Sequence, residues 1–146
     1  MSATRSFFLV LLMAAPAAWS APAPHTDSVW EVMVWTDPLT VSVDTTSIAA
    51  HAARITAQVL WDYAEAQTGP DDATVPFKSM IGLVVFDCVN ERFGGAGSVS
   101  YSGDGGAGEA VARYSINPEK ATLSTAEPGT LGHDLLVFVC ARAKTA

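Results

Sequence analysis

Residues 103–108 (GDGGAG) spell G-x-G-x-x-G, the pattern with which a tight turn brings backbone against a dinucleotide pyrophosphate, and Glu127 stands downstream as a ribose-binding acid would. That chemistry needs a helix whose N-terminus faces the phosphate. Residues 110–116 are too short to supply one and Pro118 ends them, so the glycines read as a flexible hairpin loop and no nucleotide cofactor is expected. The three histidines, His25, His51 and His133, share no ligand spacing, and no cysteine is free to join them, so no metal is expected. His133 beside Asp134 has the residue types of half a hydrolytic triad. Neighbours on a helix point in different directions, however, and no serine sits in a nucleophile elbow. The acids Asp71 and Asp72, in a loop, and Asp62 and Asp87, near strand ends, would need to converge at about 5–9.5 Å to cleave a glycoside. They read as solvated carboxylates. No catalytic residue is assigned, and the chain is expected not to be an enzyme.

Two cysteines remain, Cys88 and Cys140, 52 positions apart. Their fate depends on the compartment, which the first residues indicate. Arg5 precedes an apolar run, residues 6–15 (SFFLVLLMAA), which is shorter than the roughly 20 residues that span a bilayer. Pro16 ends the run, and Ala18 and Ser20 are the small residues a signal peptidase accepts. Residues 1–20 are therefore expected to be a signal peptide cut after Ser20, leaving one domain over residues 21–146 with its core at about 28–142. In the oxidising compartment that follows, the two thiols are expected to pair.

The whole chain carries 8 Lys and Arg against 15 Asp and Glu, a net charge of −7 that becomes −8 once Arg5 leaves with the signal. Such a balance argues against nucleic acid, whose phosphates are bound by Lys and Arg. No basic amphipathic stretch offers itself to anionic lipid, and no membrane insertion is expected after cleavage.

Any partner contact must be positioned by the elements that follow. Residues 30–35 (WEVMVW) place Trp30, Val32 and Val34 at period two, a strand signal. Asp37 and Pro38 turn the chain into a second strand at 41–44, after which 44–48 (DTTSI) reads as a turn. Residues 54–63 set Ile55, Ala57, Val59, Trp61 and Tyr63 on one face and Thr56, Gln58 and Asp62 on a wet one. A loop is expected over 64–76. Residues 77–89 are apolar on both parities, as in a central strand covered twice, with Cys88 on the side of Val84 and Phe86. Strands at 92–101 and 110–116 flank the 102–108 loop, and 118–128 shows no period. From Thr130, Leu131, Leu135, Phe138 and Val139 form a helical stripe. Thr130 is the cap, and Arg142 and Lys144 suit the C-terminal dipole.

The fold class expected is α+β: an antiparallel sheet of about six strands with a C-terminal helix packed on one face. Trp30, Trp61 and Tyr63 are assigned to the core. Trp35, on the parity opposite Trp30, is the aromatic expected to be available to a partner.

The order of these segments resembles the surface-adhesin protein E family of bacterial exported proteins. The likeness runs through Val43-Asp44, Ser47-Ile48, Phe77-Lys78-Ser79, Asp87-Cys88, Arg92-Phe93, Tyr101-Ser102 and Pro128-Gly129-Thr130, then Leu135 and Cys140. It implies a six-stranded sheet with the helix tied across it by the disulfide, and a non-enzymatic protein that binds host matrix proteins. Two departures accompany it. Family members often carry a tryptophan shortly before Pro-Gly-Ser/Thr, and 118–127 has none, so the packing there is expected to differ. No cysteine follows the cleavage site, so a lipoprotein anchor is not expected, and an accessory or inhibitor role in the periplasm is the alternative to adhesion.

Overall fold

The computed structural model describes residues 27–69 and 75–144, apart from the side chain of Trp35. The expected signal peptide, His25, Asp71 and Asp72 lie outside the described residues. Six strands follow the sequence order across an antiparallel sheet: β1 (Trp30–Thr36), β2 (Leu39–His51), β3 (Arg54–Thr68), β4 (Pro76–Asp87), β5 (Arg92–Tyr101) and β6 (Ala110–Ser115). A two-residue strand, β7 (Ser124–Thr125), pairs with Arg92 and Phe93 of β5, and helix α1 (Leu131–Ala143) closes the chain.

Cross-strand partners share a face, and the register sorts the core into two layers. Val41, Val43, Ala57, Val59, Val84 and Phe86 point to one side, where Leu135, Leu136, Val139 and Cys140 of α1 bury them. The helix stripe read from the sequence is thus the buried one, with Leu131 and Phe138 packed at its margin. Thr130 caps α1, its hydroxyl accepting from the His133 N–H at 3.3 Å. Gly129, at φ 79°, makes the left-handed step that leads into the cap.

Cys88 lies on the helix side and bonds Cys140, the two Cα atoms standing 5.8 Å apart. The bond fastens the third turn of the helix to the end of β4. A salt bridge from Arg142 to Glu31 adds a second tie, between the last turn and β1.

The opposite face departs from expectation. Gln58 and its neighbour Leu60 are buried rather than wet, because irregular chain covers that side too. Leu60, Ile81, Val99 and Tyr101 form one cluster, and Val85, Ala96, Ala121 and Leu123 another. The 118–128 segment, which has no sequence period, is therefore a cover. It is held by carbonyls rather than by stripes: Arg54 donates to the carbonyls of Pro118 and Glu119 at 3.1 and 3.3 Å, and Arg92 to that of Leu123. Gly94 permits the approach, since a Cβ there would stand 2.1 Å from the Thr122 carbonyl oxygen.

Three boundaries also move. Residues 44–48 are not a turn; β2 runs through them with a register shift between Asp44 and Ala49. Asp44 is fully buried, and its Oδ1 accepts from the N–H groups of Val29 and Thr46 and from the Thr46 hydroxyl. Ser47 donates to the Asp44 carbonyl and accepts from the Gln58 N–H at 2.8 Å. These bonds replace the ladder bonds that the bulge removes. The loop expected at 64–76 begins later, because β3 continues to Thr68 and shifts register between Asp62 and Gln67. A third shift, between Val32 and Val34, breaks the period-two pattern of β1: Val34 and Met33 both pack with the helix layer, while Trp30 packs with Leu60 and its neighbours on the other face.

The disulfide closes a segment of 52 residues, for which chain entropy assigns about 4 kcal/mol, the top of the usual range of about 2–4 kcal/mol. Cys140→Ser is expected to lower the unfolding free energy by that amount in a denaturant titration. An unchanged midpoint and slope would show that the tie carries no weight.

Candidate functional site

The turns at one end of the sheet collect the chemistry-bearing loops. There the Asp37-Pro38 turn, the far part of β3, the start of β4 and the 102–108 loop meet around a cleft of about 290 Å3, lined by Thr36, Asp37, Asp62, Tyr63, Lys78 and Asp104 among others. The glycine loop is not flexible, as the sequence suggested, but docked. Ser79, fully buried on β4, donates to the Gly103 carbonyl and accepts from the Gly106 N–H at 2.8 Å. Asp62 accepts from the Gly105 N–H at 3.1 Å, and the Lys78 ammonium stands 2.9 Å from an Asp104 carboxylate oxygen. Gly106, at φ 80°, lies so close over Ile81 that a Cβ would stand 2.7 Å from its Cδ1.

This geometry settles what the glycines do. The loop ends in strand β6 rather than in a helix, and residues 104–106 form a single 3-10 turn, so no helix N-terminus is aimed at a phosphate. The Gly105 and Gly106 N–H groups are turned inward onto Asp62 and Ser79, and those of Gly103 and Ala107 bond carbonyls within the loop.

The remaining candidates are dispersed. His133 and Asp134 stand 3.9 Å apart at the start of α1 on the surface, and His51 lies 3.8 Å from Glu119 at the opposite end of the sheet from the cleft. Asp62 serves the glycine loop and Asp87 a turn, so these two acids do not share a cleft. Among the described residues no group of three or more His, Cys, Asp or Glu is arranged to hold a metal. The backbone of Trp35 pairs with Thr40 beside the Asp37-Pro38 turn, at the cleft end of β1, while its side chain lies outside the described ones. Tyr63 packs edge-on to Phe77, with ring centres 5.9 Å apart, and burial raises its phenol above the usual 10.0.

Two features escaped sequence reasoning. Ser79 carried no signal beyond its place in a family-like motif, since a serine inside an apolar strand reads as a small core residue. Gln58 was assigned to a wet face, yet it is buried.

The architecture defines a class: a disulfide-tied α+β domain with two covered sheet faces, its loops gathered and anchored at one end. The model of the surface-adhesin protein E family matches residues 30–141, and the chain belongs to that family. The family is one of surface adhesins, not of enzymes, and its members are exported to the cell surface. Among solved structures, Haemophilus influenzae protein E is 14% identical over 87% of this chain and 94% of its own, with a TM-score of 0.58. Protein E from non-typeable Haemophilus influenzae is 16% identical over 86% and 85%, with a TM-score of 0.56. At such identity the likeness is one of fold. No curated protein matches this sequence significantly. No helix among the described residues is long and apolar enough to cross a membrane.

Two measurements check the local chemistry. Ser79→Ala removes the two bonds that tie the glycine loop to this side chain, and the Gly106 amide, which donates to it, is expected to exchange with solvent at least about tenfold faster, the worth of one or two hydrogen bonds. Unaltered exchange would mean that Asp62, Lys78 and packing hold the loop without Ser79.

The second measurement concerns Asp87. Its carboxylate accepts from the Asn90 side chain at 2.8 Å, the Asn90 N–H at 3.0 Å and the Val89 N–H at 3.2 Å, which holds it below the usual 3.8, with Arg54 adding a weaker pull. A depressed carboxyl stabilises the fold above its unfolded pKa and loses that contribution as pH falls through the folded one, hence below about pH 4. A carbon-detected titration should give Asp87 a midpoint under 3.8, returning toward that value in Asn90→Ala.

Proposed function

We propose that this protein is a non-enzymatic binding protein that engages a protein partner of the extracellular-matrix kind through the loop end of its sheet. The observation that carries the reading is the family match over residues 30–141, the family being one of surface adhesins. The geometry of the loop end supports it. Hydrogen bonds from Ser79 and Asp62 fix the glycine loop on the sheet, so little ordering entropy is lost when it meets a partner. Trp35 stands next to the turn at this end and is the aromatic proposed to make contact, since rigid aromatics dominate interface energies.

Charge narrows the partner. Asp37, Asp62 and Asp104 line the cleft against one lysine, Lys78, on a chain of net charge −7. Such a surface attracts a partner with a basic or neutral face and repels polyanions such as heparin and nucleic acid. The signal-cleaved chain from residue 21, which we propose as a single domain, is the form that would meet it.

An array of purified matrix proteins, probed with the disulfide-intact mature chain beside Trp35→Ala and a variant with the 102–108 loop shortened, tests this. Saturable binding that weakens at least about tenfold in either variant, as an interface hot spot does, is the expected result. No binding at micromolar concentration, together with recovery of the protein only from the periplasm, would replace adhesion with an accessory or inhibitor role in that compartment.

A further inference from the structure

The sheet ends in two edge strands, β1 and β6. An edge offers unpaired backbone groups to any extended chain that reaches it, and proteins blunt such edges with bulges, charges or covers. A register shift between Val32 and Val34 blunts β1 in its middle. β6 shifts only at its start, and from Ala112 to Ser115 it pairs evenly with β5. The Ile116 N–H donates to the Ala96 carbonyl at 2.8 Å, and the register carries that bonded kind of pair to Tyr114 opposite Ser98 and Ala112 opposite Ser100. The N–H and C=O groups of Arg113 and Ser115, which alternate with them, therefore point outward from the sheet.

Two features beside this edge select what can join it. Leu83, Gly97 and Ser115 form one row across the face turned away from α1. Together with Ile81, Val99 and Tyr101 they wall an apolar cavity of about 60 Å3. A water needs about 10–15 Å3 of such space, so the cavity takes about four or five non-hydrogen atoms, the size of a branched aliphatic side chain. A residue directly opposite Ser115 on an added strand has its Cβ about 5 Å away, and a leucine there reaches past the short serine toward Gly97. The second feature is charge. Arg113, opposite Val99, belongs to the same face, is exposed and makes no ion pair among the described residues. β6 (AVARYS) contains no acid to answer it. A second copy of this chain is thus a poor occupant, because antiparallel pairing of β6 with itself brings two Arg113 side chains opposite or diagonal on one face.

We propose that β6 is the docking edge for an extended segment of a second protein, which adds to the sheet as an antiparallel strand. The segment places a leucine or isoleucine opposite Ser115 and, two residues later, an aspartate or glutamate opposite Arg113. Backbone bonds to Arg113 and Ser115 supply attachment, while the cavity and the guanidinium supply selection. None of the residues lining the loop-end cleft belongs to β6, so this contact stands whether or not a matrix protein binds there.

The test titrates the mature, disulfide-intact chain, labelled at backbone amides and at Leu and Val methyls, with the end-blocked peptide Ser-Thr-Leu-Val-Glu-Val-Thr-Ser. Saturable shifts of the Arg113 and Ser115 amides and of the Leu83 and Val99 methyls are expected at about millimolar concentration or below. N-methylation of the peptide glutamate, whose N–H faces β6, should weaken binding at least about tenfold, the worth of one or two hydrogen bonds. N-methylation of the valine before it, whose N–H faces away, should leave binding unchanged. Exchanging the glutamate for lysine should weaken binding about threefold, as loss of an exposed ion pair does, and Arg113→Glu should reverse that preference. Equal effects of the two methylations, saturation without a shift at Leu83 and Val99, or an unreversed preference in Arg113→Glu would each overturn the proposal. So would a dimer whose Arg113 and Ser115 amides are protected from exchange before peptide is added, since a second copy would then hold the edge. The methylated peptides test the parent protein alone, whatever the fold of the variant.

Discussion

A sheet with apolar side chains on both faces has to be covered twice, and the described residues supply one α-helix of 13 residues to do it. The rest of the architecture follows from that shortage. The helix covers the side of Val59 and Phe86 in the regular way, with a buried stripe and a cap. The other side is closed by irregular chain, which cannot satisfy its own backbone and so borrows donors and acceptors from the strands beneath. Arg54 and Arg92 bond the carbonyls of the 118–126 cover, and Ser79 and Asp62 bond the glycine loop. Polar residues embedded in strands thus hold the second layer.

That division explains what could be read in the sequence. The helix and its cap, the central place of β4, the limits of β5 and the pairing of Cys88 with Cys140 were all legible, because periodicity and cysteine count act locally or in pairs. The second layer was not. A cover without period announces itself only through the strand residues it buries, and Gln58 in an alternating strand looks like an outward-facing polar residue. The bulges were hidden for a related reason. Asp44 to Ile48 is polar enough for a turn, and only the bonds that Asp44 and Ser47 make show the strand continuing. Of the proposed contact region, the glycine loop and the Asp37-Pro38 turn could be named in advance, but their convergence in one cleft could not.

The residues that carry the family likeness turn out to perform structural tasks. Asp44 and Ser47 support the bulge, Ser79 seats the glycine loop, Asp87 shapes the turn before β5, Arg92 holds a cover, and Thr130 caps the helix. Phe93 lies so close to Gly132 of the helix that a Cβ there would stand 2.2 Å from its ring. The likeness is therefore a statement about how the scaffold is held. In the binding role proposed above, specificity for a partner would fall to positions outside it, such as Trp35, Asp37 and Asp104.

The order of the two cysteines along the chain has a consequence for biogenesis. Cys88 directly follows β4, in the middle of the sheet, while Cys140 lies beyond every described strand. A chain threaded across a membrane from its N-terminus delivers all the strands before the second thiol arrives. The bond cannot then close around a half-emerged sheet, and oxidation becomes the last covalent event of maturation. Until then the helix has no covalent tether but the chain that leads to it, so the reduced form exposes Val59, Phe86 and their neighbours whenever the helix lifts. For this protein the redox poise of its destination would act as a quality gate, sealing the apolar face only in chains that have arrived whole.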